Sequence, residues 1–545
     1  MSNVKNCFRL WTVLFAAMAG GIEAAQAGQD LAFEKSCAAI GKSSYERAAD
    51  SPAVIISAKY TRDSAQAMKH QFMFGKRSIV QGMPVGENIK SLPSHCRVEG
   101  YFAPAVRFTL LLPDPKQWNS RVMYAACDAF CGAVEEDMPV PGLIKGFATI
   151  ATDGGHINKR PFDGTWGYNN RQGEIDFGYQ ASHLAAQLVK QISLDYYGRK
   201  HSYAYITGFS KGGLAGLKSA LTHPEDFDGI LSRAPVVRYQ EINAVRMPWL
   251  YKSNSRADGS PILLAADAMV IHRGVIKQCD GIDGLVDGII DDPRNCSFEP
   301  STLLCAANQT KECLSAEQIT AAEKFYSLPK NDKGQVAYPY ALEYGSEYDW
   351  QGFHAPRTVD SPSFAKTIAS TFLRYMAFEK DPGPYFDWMA FDPVADANKL
   401  EPMKSVWDAT DPDLRNFNEA GGKMLVIHGW GDGAVSARMT IDWYEGVRKF
   451  MGKSVDSFVK LYVVPGSKHG GSPGDGPNVN ESLEALVNWV EKSEQPGKLV
   501  FRLEDDNGKV SRTRANFPYP LASRYKGKGD INDEASFEAY LPNKK

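Results

Sequence analysis

The sequence predicts an α/β fold, a mostly parallel sheet with helices on both faces and a large insertion, and three observations lead there. Short apolar runs ending in turn residues are followed by helical patterns; a Gly-x-Ser-x-Gly turn joins a strand to a helix at Ser210; and the alternation breaks down between residues 236 and 405. At 545 residues the chain exceeds one core, since single cores stop growing beyond roughly 250 to 300 residues. A catalytic domain carrying a second, inserted domain suits that length.

The elements follow in order. Residues 1–27 read as an export signal: Lys5 and Arg9 precede the apolar stretch 10–22, and Ala25-Gln26-Ala27 is an A-x-A cleavage site. No later stretch reaches the roughly 20 apolar residues of a membrane helix, so a secreted or periplasmic protein without a membrane span after cleavage is expected. Residues 28–235 form the first part of the catalytic domain, with strands expected at 106–112, 122–126, 147–151 and 203–207. A helix over 181–196 carries its apolar stripe through Leu184, Leu188 and Ile192. Residues 236–405 hold four cysteines, an Asp/Gly-rich loop and many aromatics, among them Tyr338, Trp350, Phe353, Phe372 and Trp388, and read as a lid. Residues 406–545 complete the catalytic domain with strands at 424–427 and 459–464 and a helix over 483–490. The polar tail from Glu504 is expected to pack loosely or wrap the surface. Alternating strands and helices argue for a sheet covered on both faces.

Charge and cysteines narrow the class. Net charge is −3 with no long Lys/Arg run, which disfavours nucleic acid as a partner. Of nine cysteines, Cys7 lies in the signal, and the remaining eight suit an oxidising compartment. Eight cysteines allow 105 pairings, and local spacing favours Cys37 with Cys96, Cys127 with Cys131, Cys279 with Cys296 and Cys305 with Cys313. Nothing bears on oligomeric state.

Gly208-Phe209-Ser210-Lys211-Gly212 has the form of a nucleophile elbow, where small residues let the chain turn sharply and lift the hydroxyl clear of the sheet. Its context fits: Tyr203 to Thr207 leads in as a strand, and Leu214, Leu217 and Leu221 follow at helical spacing. Gly470-Gly471-Ser472-Pro473-Gly474 matches the same pattern, but no strand enters it and Pro473 forbids a helix there, so Ser472 reads as a loop residue. A serine hydroxyl needs a base, and the base needs a group to orient it. In α/β-hydrolases these follow the serine in the order acid, histidine, each in a loop after a later strand. Asp432 follows the strand at 424–427, and His469 follows the strand at 459–464. His428 better suits a supporting role, His156 could line the site, and Asp153 precedes the serine and is the weaker acid. An oxyanion hole would use the backbone N–H of Lys211 and one from the loop 125–128, assigned to Cys127.

These pieces resemble the tannase and feruloyl esterase family, which also includes hydrolases of terephthalate monoesters. The resemblance rests on Ala151 to His156, Asp176 to Tyr179 with His183, the Ser210 elbow, Cys279-Asp280 through Cys296, Cys313 to Ser315, Asp408 to Leu414, His428 to Asp432, and the His469 loop before Trp489-Val490-Glu491. It implies an esterase acting on small aromatic acid esters (gallate, ferulate or terephthalate monoester type) through an acyl-enzyme on Ser210, with the lid supplying the acyl pocket. Two departures stand out. Where the family has cysteines before the nucleophile and after the histidine, joined in a disulfide, this chain has Phe209 and Gly470. Where the family has glycines beside the oxyanion, it has Ala126 and Cys127.

The loop Cys279 to Ile289 offers carboxylates separated by glycines, chemistry that suits Ca²⁺ far better than zinc. On composition alone an ion-free Asp/Gly turn is the better reading. The resemblance implies a structural calcium held by the side chains of Asp280, Asp283 and Asp287 and the carbonyls of Leu285 and Ile289. Two other readings stay open at this level: another acyl-transfer enzyme on the same fold, such as a peptidase or acyltransferase, or a calcium-stabilised binding protein with a relic triad.

Overall fold

The computed structural model describes residues 31–62, 79–80, 83–84, 92–134, 138–158, 160, 162–309, 311–469, 479–504 and 509–542. The expected signal segment, Gly470 and the Ser472 loop lie outside the described residues.

A nine-stranded sheet forms the centre. Its strands are β1 (Ala53–Thr61), β2 (His95–Phe102), β3 (Val106–Pro113), β4 (Arg121–Ala125), β5 (Ala148–Thr152), β6 (Tyr203–Phe209), β7 (Gly229–Arg233), β8 (Lys423–Gly429) and β9 (Val459–Val464). Their spatial order is β1-β2-β3-β5-β4-β6-β7-β8-β9. The first three strands pair antiparallel with each other and with β5, and from β5 to β9 every pair is parallel. The fold is thus of the α/β-hydrolase type.

Alternation along the strands divides the core in two, because successive side chains of a strand point to opposite faces. Met123, Tyr205, Leu231, Leu425 and Tyr462 face helix α8 (Ser482–Lys492) through Leu483, Leu486 and Trp489. Tyr124, Ile206, Ile230, Val426 and Leu461 face the other way, into the core that includes α1 (Ala181–Tyr197), α2 (Lys211–Thr222) and α7 (Ala437–Met451). Leu184, Leu188 and Ile192 of α1 are all buried there, and α1 ends on Gly198 in the left-handed region.

Among the described residues, the chain between β7 and β8 contributes no strand to this sheet. It is helical, with α3 (Met247–Ser253), α4 (Ala265–Cys279), α5 (Ala316–Phe325) and α6 (Phe364–Tyr375). Residues from α4, α5 and the segment around Trp350 form a core of their own. Ile368, Phe372 and Leu373 of α6 join the main core instead, so the lid is seated on the sheet rather than tethered beside it.

The strand Val479–Asn480 (β10), just before α8, makes an antiparallel sheet with β11 (Leu499–Glu504) and β12 (Val510–Asn516) beyond it, and β13 (Ala522–Tyr525) pairs with β14 (Phe537–Tyr540). The tail from Glu504 is therefore built, not loose. Its few apolar residues suffice because Ala515 and Phe537 close against Leu285 of the acidic lid loop. Four disulfides join Cys37 to Cys96, Cys127 to Cys131, Cys279 to Cys296 and Cys305 to Cys313.

Candidate active site

The carboxyl ends of parallel strands, where strand order reverses, are where open α/β sheets place their ligands. Here the order reverses at β4 and β6, and Ser210 stands immediately after β6. Its backbone has φ 56° and ψ −116°, a conformation L-residues rarely adopt. Neighbouring backbone holds it there: Ser210 N–H donates to the Arg233 carbonyl at 2.9 Å, and its carbonyl accepts from Leu214 N–H at 3.0 Å. A Cβ at Gly212 would fall 2.7 Å from the Ala126 carbonyl oxygen, so glycine there lets the loop after β4 close on the elbow.

The other two candidate residues arrive on the loops after β8 and β9. These loops touch backbone to backbone: a Cβ at Gly429 would lie 2.0 Å from the Ser467 carbonyl oxygen, and Gly431 N–H donates to that oxygen at 3.0 Å. The contact brings Asp432 beside His469. His469 Nδ1–H donates to Asp432 Oδ2 at 2.6 Å, and the Ser210 hydroxyl donates to His469 Nε2 at 3.1 Å. Asp432 Oδ1 accepts from Ala434 N–H at 2.9 Å and Val435 N–H at 2.7 Å.

The electrostatics suit proton transfer. Burial alone would push the His469 imidazole down, but Asp432, with Asp349 and Asp128 nearby, leaves it above the ordinary histidine value. Burial would raise Asp432, yet His469 and His428 together hold it well below the usual carboxylate range. His428 supports the acid: its Nε2 lies 3.2 Å from Asp432 Oδ2 and 2.9 Å from the Val435 carbonyl, and its Nδ1 meets Thr440 Oγ1 at 2.8 Å.

Lys211 is the first residue of α2, so its N–H is an orphan donor of a helix N-terminus. Among the described residues the N–H of Cys127 has no backbone acceptor, whereas that of Ala126 is spent on the Thr207 carbonyl. The residue of that loop lining the cavity is Asp128 rather than Cys127. The Lys211 side chain turns inward, donating to the Phe177 carbonyl and lying 4.3 Å from that ring's centre; burial, with Lys218 nearby, pushes it down to about 7. His156 stands behind the cavity wall, donating Nε2–H to the Phe130 carbonyl at 2.6 Å and stacking on Trp166. Asp153 pairs with Arg107 at 2.6 Å and does not reach the serine site.

Above Ser210 opens a cavity with about 600 Å³ of atom-free space. Its walls are apolar and come from the catalytic domain (Phe130, Phe162) and from the lid (Tyr239, Ile242, Phe353, Ile368). Phe209, in the position before the serine, packs its ring against the His469 imidazole with centroids 4.5 Å apart.

The acidic loop lies elsewhere, at the lid's junction with the tail. Asp280 accepts from the N–H groups of Asp287 and Gly288 at 3.1 Å, and Asp283 accepts from Leu285 N–H at 2.9 Å. Asp287 takes the buried guanidinium of Arg514 from β12. Asp291, absent from the sequence-derived ligand set, joins the group: its Oδ1 is buried without a hydrogen-bond donor, 3.7 Å from Arg514. Burial pushes both Asp283 and Asp291 up, with the charge of Asp287 adding to it at Asp283 and that of Asp283 at Asp291. Arg514, with Arg512 at 3.8 Å from Asp287, thus stands among more carboxylates than the two arginines neutralise, a donor set that fits a hard cation. The carbonyls of Leu285 and Ile289 belong to the same short loop.

Sequence reasoning missed Asp349, Asp291 and Arg514. None carries a motif; each is brought to its partner by packing between segments more than a hundred residues apart or, for Asp291, by the loop's own closure.

Residues 90–540 match the family model described as tannase and feruloyl esterase. Among curated relatives, a mono(2-hydroxyethyl) terephthalate hydrolase from Piscinibacter sakaiensis is 30% identical over 528 residues, covering 84% of this chain and 87% of its own length. A probable feruloyl esterase B-2 from Aspergillus flavus is 28% identical, covering 79% and 87%. Among solved structures, the crystal structure of feruloyl esterase B from Aspergillus oryzae superimposes with a TM-score of 0.77 at 25% identity, over 93% of this chain and 100% of that one. A tannin acyl hydrolase from Aspergillus niger shares the fold at 19% identity, with a TM-score of 0.70 over 90% and 92% of the two chains.

Proposed function

Because the chain belongs to the tannase and feruloyl esterase family, and is thereby a carboxylic ester hydrolase acting on aromatic esters, we propose that it works through an acyl-enzyme on Ser210. The observation carrying this is the relay at the cavity floor, Ser210 Oγ to His469 Nε2 at 3.1 Å and His469 Nδ1 to Asp432 at 2.6 Å. His469 takes the hydroxyl proton as Oγ attacks the ester carbonyl, and returns it to the departing alcohol. Water then repeats the cycle to release the acid. The N–H groups of Lys211 and Cys127 would receive the oxyanion.

The cavity accepts the acyl group, and its chemistry selects among aromatic acids. Among the described lining residues, those of the lid include the polar Asn243 and Tyr239 and no cation, and the lysine of the catalytic domain, Lys211, spends its ammonium on the Phe177 carbonyl. Burying a second carboxylate there without a partner would be costly, so a neutral phenolic acyl group, as in ferulate or gallate esters, suits it better than a terephthalate monoester. The acidic loop holds a structural Ca²⁺ through Asp280, Asp283 and Asp287, with Asp291 as a further carboxylate. Residues 1–27 direct export, consistent with the disulfides and with the absence, among the described residues, of a helix long and apolar enough to cross a membrane.

Two measurements test this. Ser210→Ala is expected to lower kcat by about 10³-fold or more with an unchanged melting temperature, since it removes the covalent route but no core contact; retention of a tenth of the activity rules Ser210 out as nucleophile. A panel of methyl ferulate, methyl gallate and mono(2-hydroxyethyl) terephthalate should rank the first two above the third, and the reverse ranking would overturn the assignment of the acyl pocket.

A further inference from the structure

We propose that Asp349, a lid carboxylate, is a positioning residue that clasps the loops of Asp432 and His469 together, in the role a covalent tether would otherwise fill. The inference rests on the proton relay assigned above. One oxygen makes the clasp: Asp349 Oδ2 accepts from His469 N–H at 2.7 Å and from Gly433 N–H at 3.2 Å. Gly433 directly follows the acid and His469 is the base. The base and the residue next to the acid are thus bonded to a single atom.

The carboxylate is itself held. It sits in the turn Glu347–Trp350, whose Glu347 accepts from the Tyr326 hydroxyl at 2.6 Å and meets His272 Nδ1 at 3.0 Å. Trp350 is fully buried in the lid core. The same lid grips the acid's loop from other sides. Burial, with Arg246 nearby, pushes His354 down to about 3, and the neutral ring donates Nε2–H to the Gly433 carbonyl at 2.9 Å. Arg246 donates to the carbonyls of Gly433, at 3.1 Å, and Ala434. The lid therefore does more than wall the cavity: it fixes the geometry of the base.

A neutral amide would satisfy both N–H groups equally well, so the negative charge calls for its own account. Burial and the charge of Asp432 push Asp349 up to about 6, and an acid so placed is tolerated more readily if its charge serves the histidine. The charged groups acting on it are Asp432 from the loop after β8, with His428 of β8 behind that carboxylate, and His469 and Lys468 from the loop after β9. Lys468 Nζ is seated over the ring of Tyr348, the neighbour of Asp349, at 3.5 Å. Asp128, from the loop after β4, also acts on His469. Within this set Asp349 adds to Asp432 in favouring the imidazolium that forms during acyl transfer.

The test uses the full chain and the ester that the wild-type enzyme turns over fastest. Asp349→Ala and Asp349→Asn are compared with wild type and Ser210→Ala in kcat, KM, melting temperature and pH profile. Asp349→Ala should lower kcat about 30-fold while KM, set by a cavity Asp349 does not line, stays within about threefold. Asp349→Asn should recover kcat to within about fivefold, yet move the acid limb of the profile to lower pH, because His469 has lost a stabilising charge. A merely structural role would leave that limb in place. A folded Asp349→Ala with wild-type kcat, or an Asp349→Asn whose acid limb coincides with wild type, overturns the proposal. Should Asp349→Ala fail to fold, Asp349→Asn decides alone. Activity retained by Ser210→Ala would instead remove the relay itself, and the clasp with it.

Discussion

Phe209 and His469 show how one pair of side chains can take over from a covalent bond. Phe209, in the position before Ser210, rests its ring against the His469 imidazole with centroids 4.5 Å apart and so packs on one side of the proposed base. Phe209→Ala should remove that packing. We expect kcat to fall about tenfold or more, alongside a stability loss of about 3 kcal/mol, the lower end for truncating a buried phenylalanine. An unchanged kcat in a folded variant would mean that packing on this face is not what orients His469. The histidine also predicts the pH profile. Its conjugate acid is favoured by Asp432 and Asp349, so its value in the folded protein lies above the ordinary one of about 6.5. With neutral imidazole as the proposed base, activity should fall as pH drops through that raised value, placing the acid limb of kcat/KM above about pH 6.5. A limb centred well below it would contradict the charge arrangement around the ring. Ser210, Asp432 and His469 were legible in the sequence because the elbow is local and the acid and histidine follow strands in a characteristic order. Asp349 was not, since nothing near it in the chain announces a partner 120 residues away.

At the scale of elements, the acidic lid loop and the C-terminal strand β12 form one unit. Arg514, almost wholly buried, reaches Asp287 and lies 3.7 Å from Asp291, while Arg512 donates to the Asp287 carbonyl at 2.9 Å. A bound cation and Arg514 would share the work of neutralising this group. Removing calcium with a chelator should therefore lower the melting temperature, since a ligand bound only by the folded state stabilises it by mass action. Activity assayed at low temperature should persist, because the loop does not contribute to the cavity. An unchanged melting curve after verified metal removal, or a metal assay finding no calcium, would take the ion out of this account. Arg514→Met should cost about 3 to 5 kcal/mol, the usual penalty for stripping one partner from a buried ion pair. The polar composition of the tail hid this contact, because Arg514, buried, and Arg512, half-buried, read in sequence as ordinary surface charge.

For the whole molecule, the disulfides divide by the length of chain they close. Cys37 to Cys96 spans 59 residues and restricts the unfolded chain most, by about 4 kcal/mol on chain-entropy grounds, against about 2 kcal/mol for the four-residue step from Cys127 to Cys131. The short bridge has a different consequence. It closes the loop that carries Asp128, Ala129 and Phe130 into the cavity, with Ala129 and Cys131 in the left-handed region. Cys127→Ser with Cys131→Ser should therefore change KM and kcat for aromatic esters more than it changes the melting temperature, and Cys37→Ser with Cys96→Ser should do the opposite. Equal effects of the two pairs on both quantities would contradict this division.

The sequence by itself determined the class of fold, the family and the chemistry of the candidate nucleophile. All three rest on local signals: strand-turn-helix at Ser210, alternating apolar runs, and motifs that keep their order along the chain. Tertiary structure alone decided what surrounds them: which lid side chains wall the cavity, that Asp349 and Phe209 bear on His469, and that the tail closes over the acidic loop. The physical reason is the same in each case. Periodicity and turn chemistry act over a few residues and are written where they act, whereas a contact between distant segments depends on how the whole core packs, and neither partner carries a mark of the other.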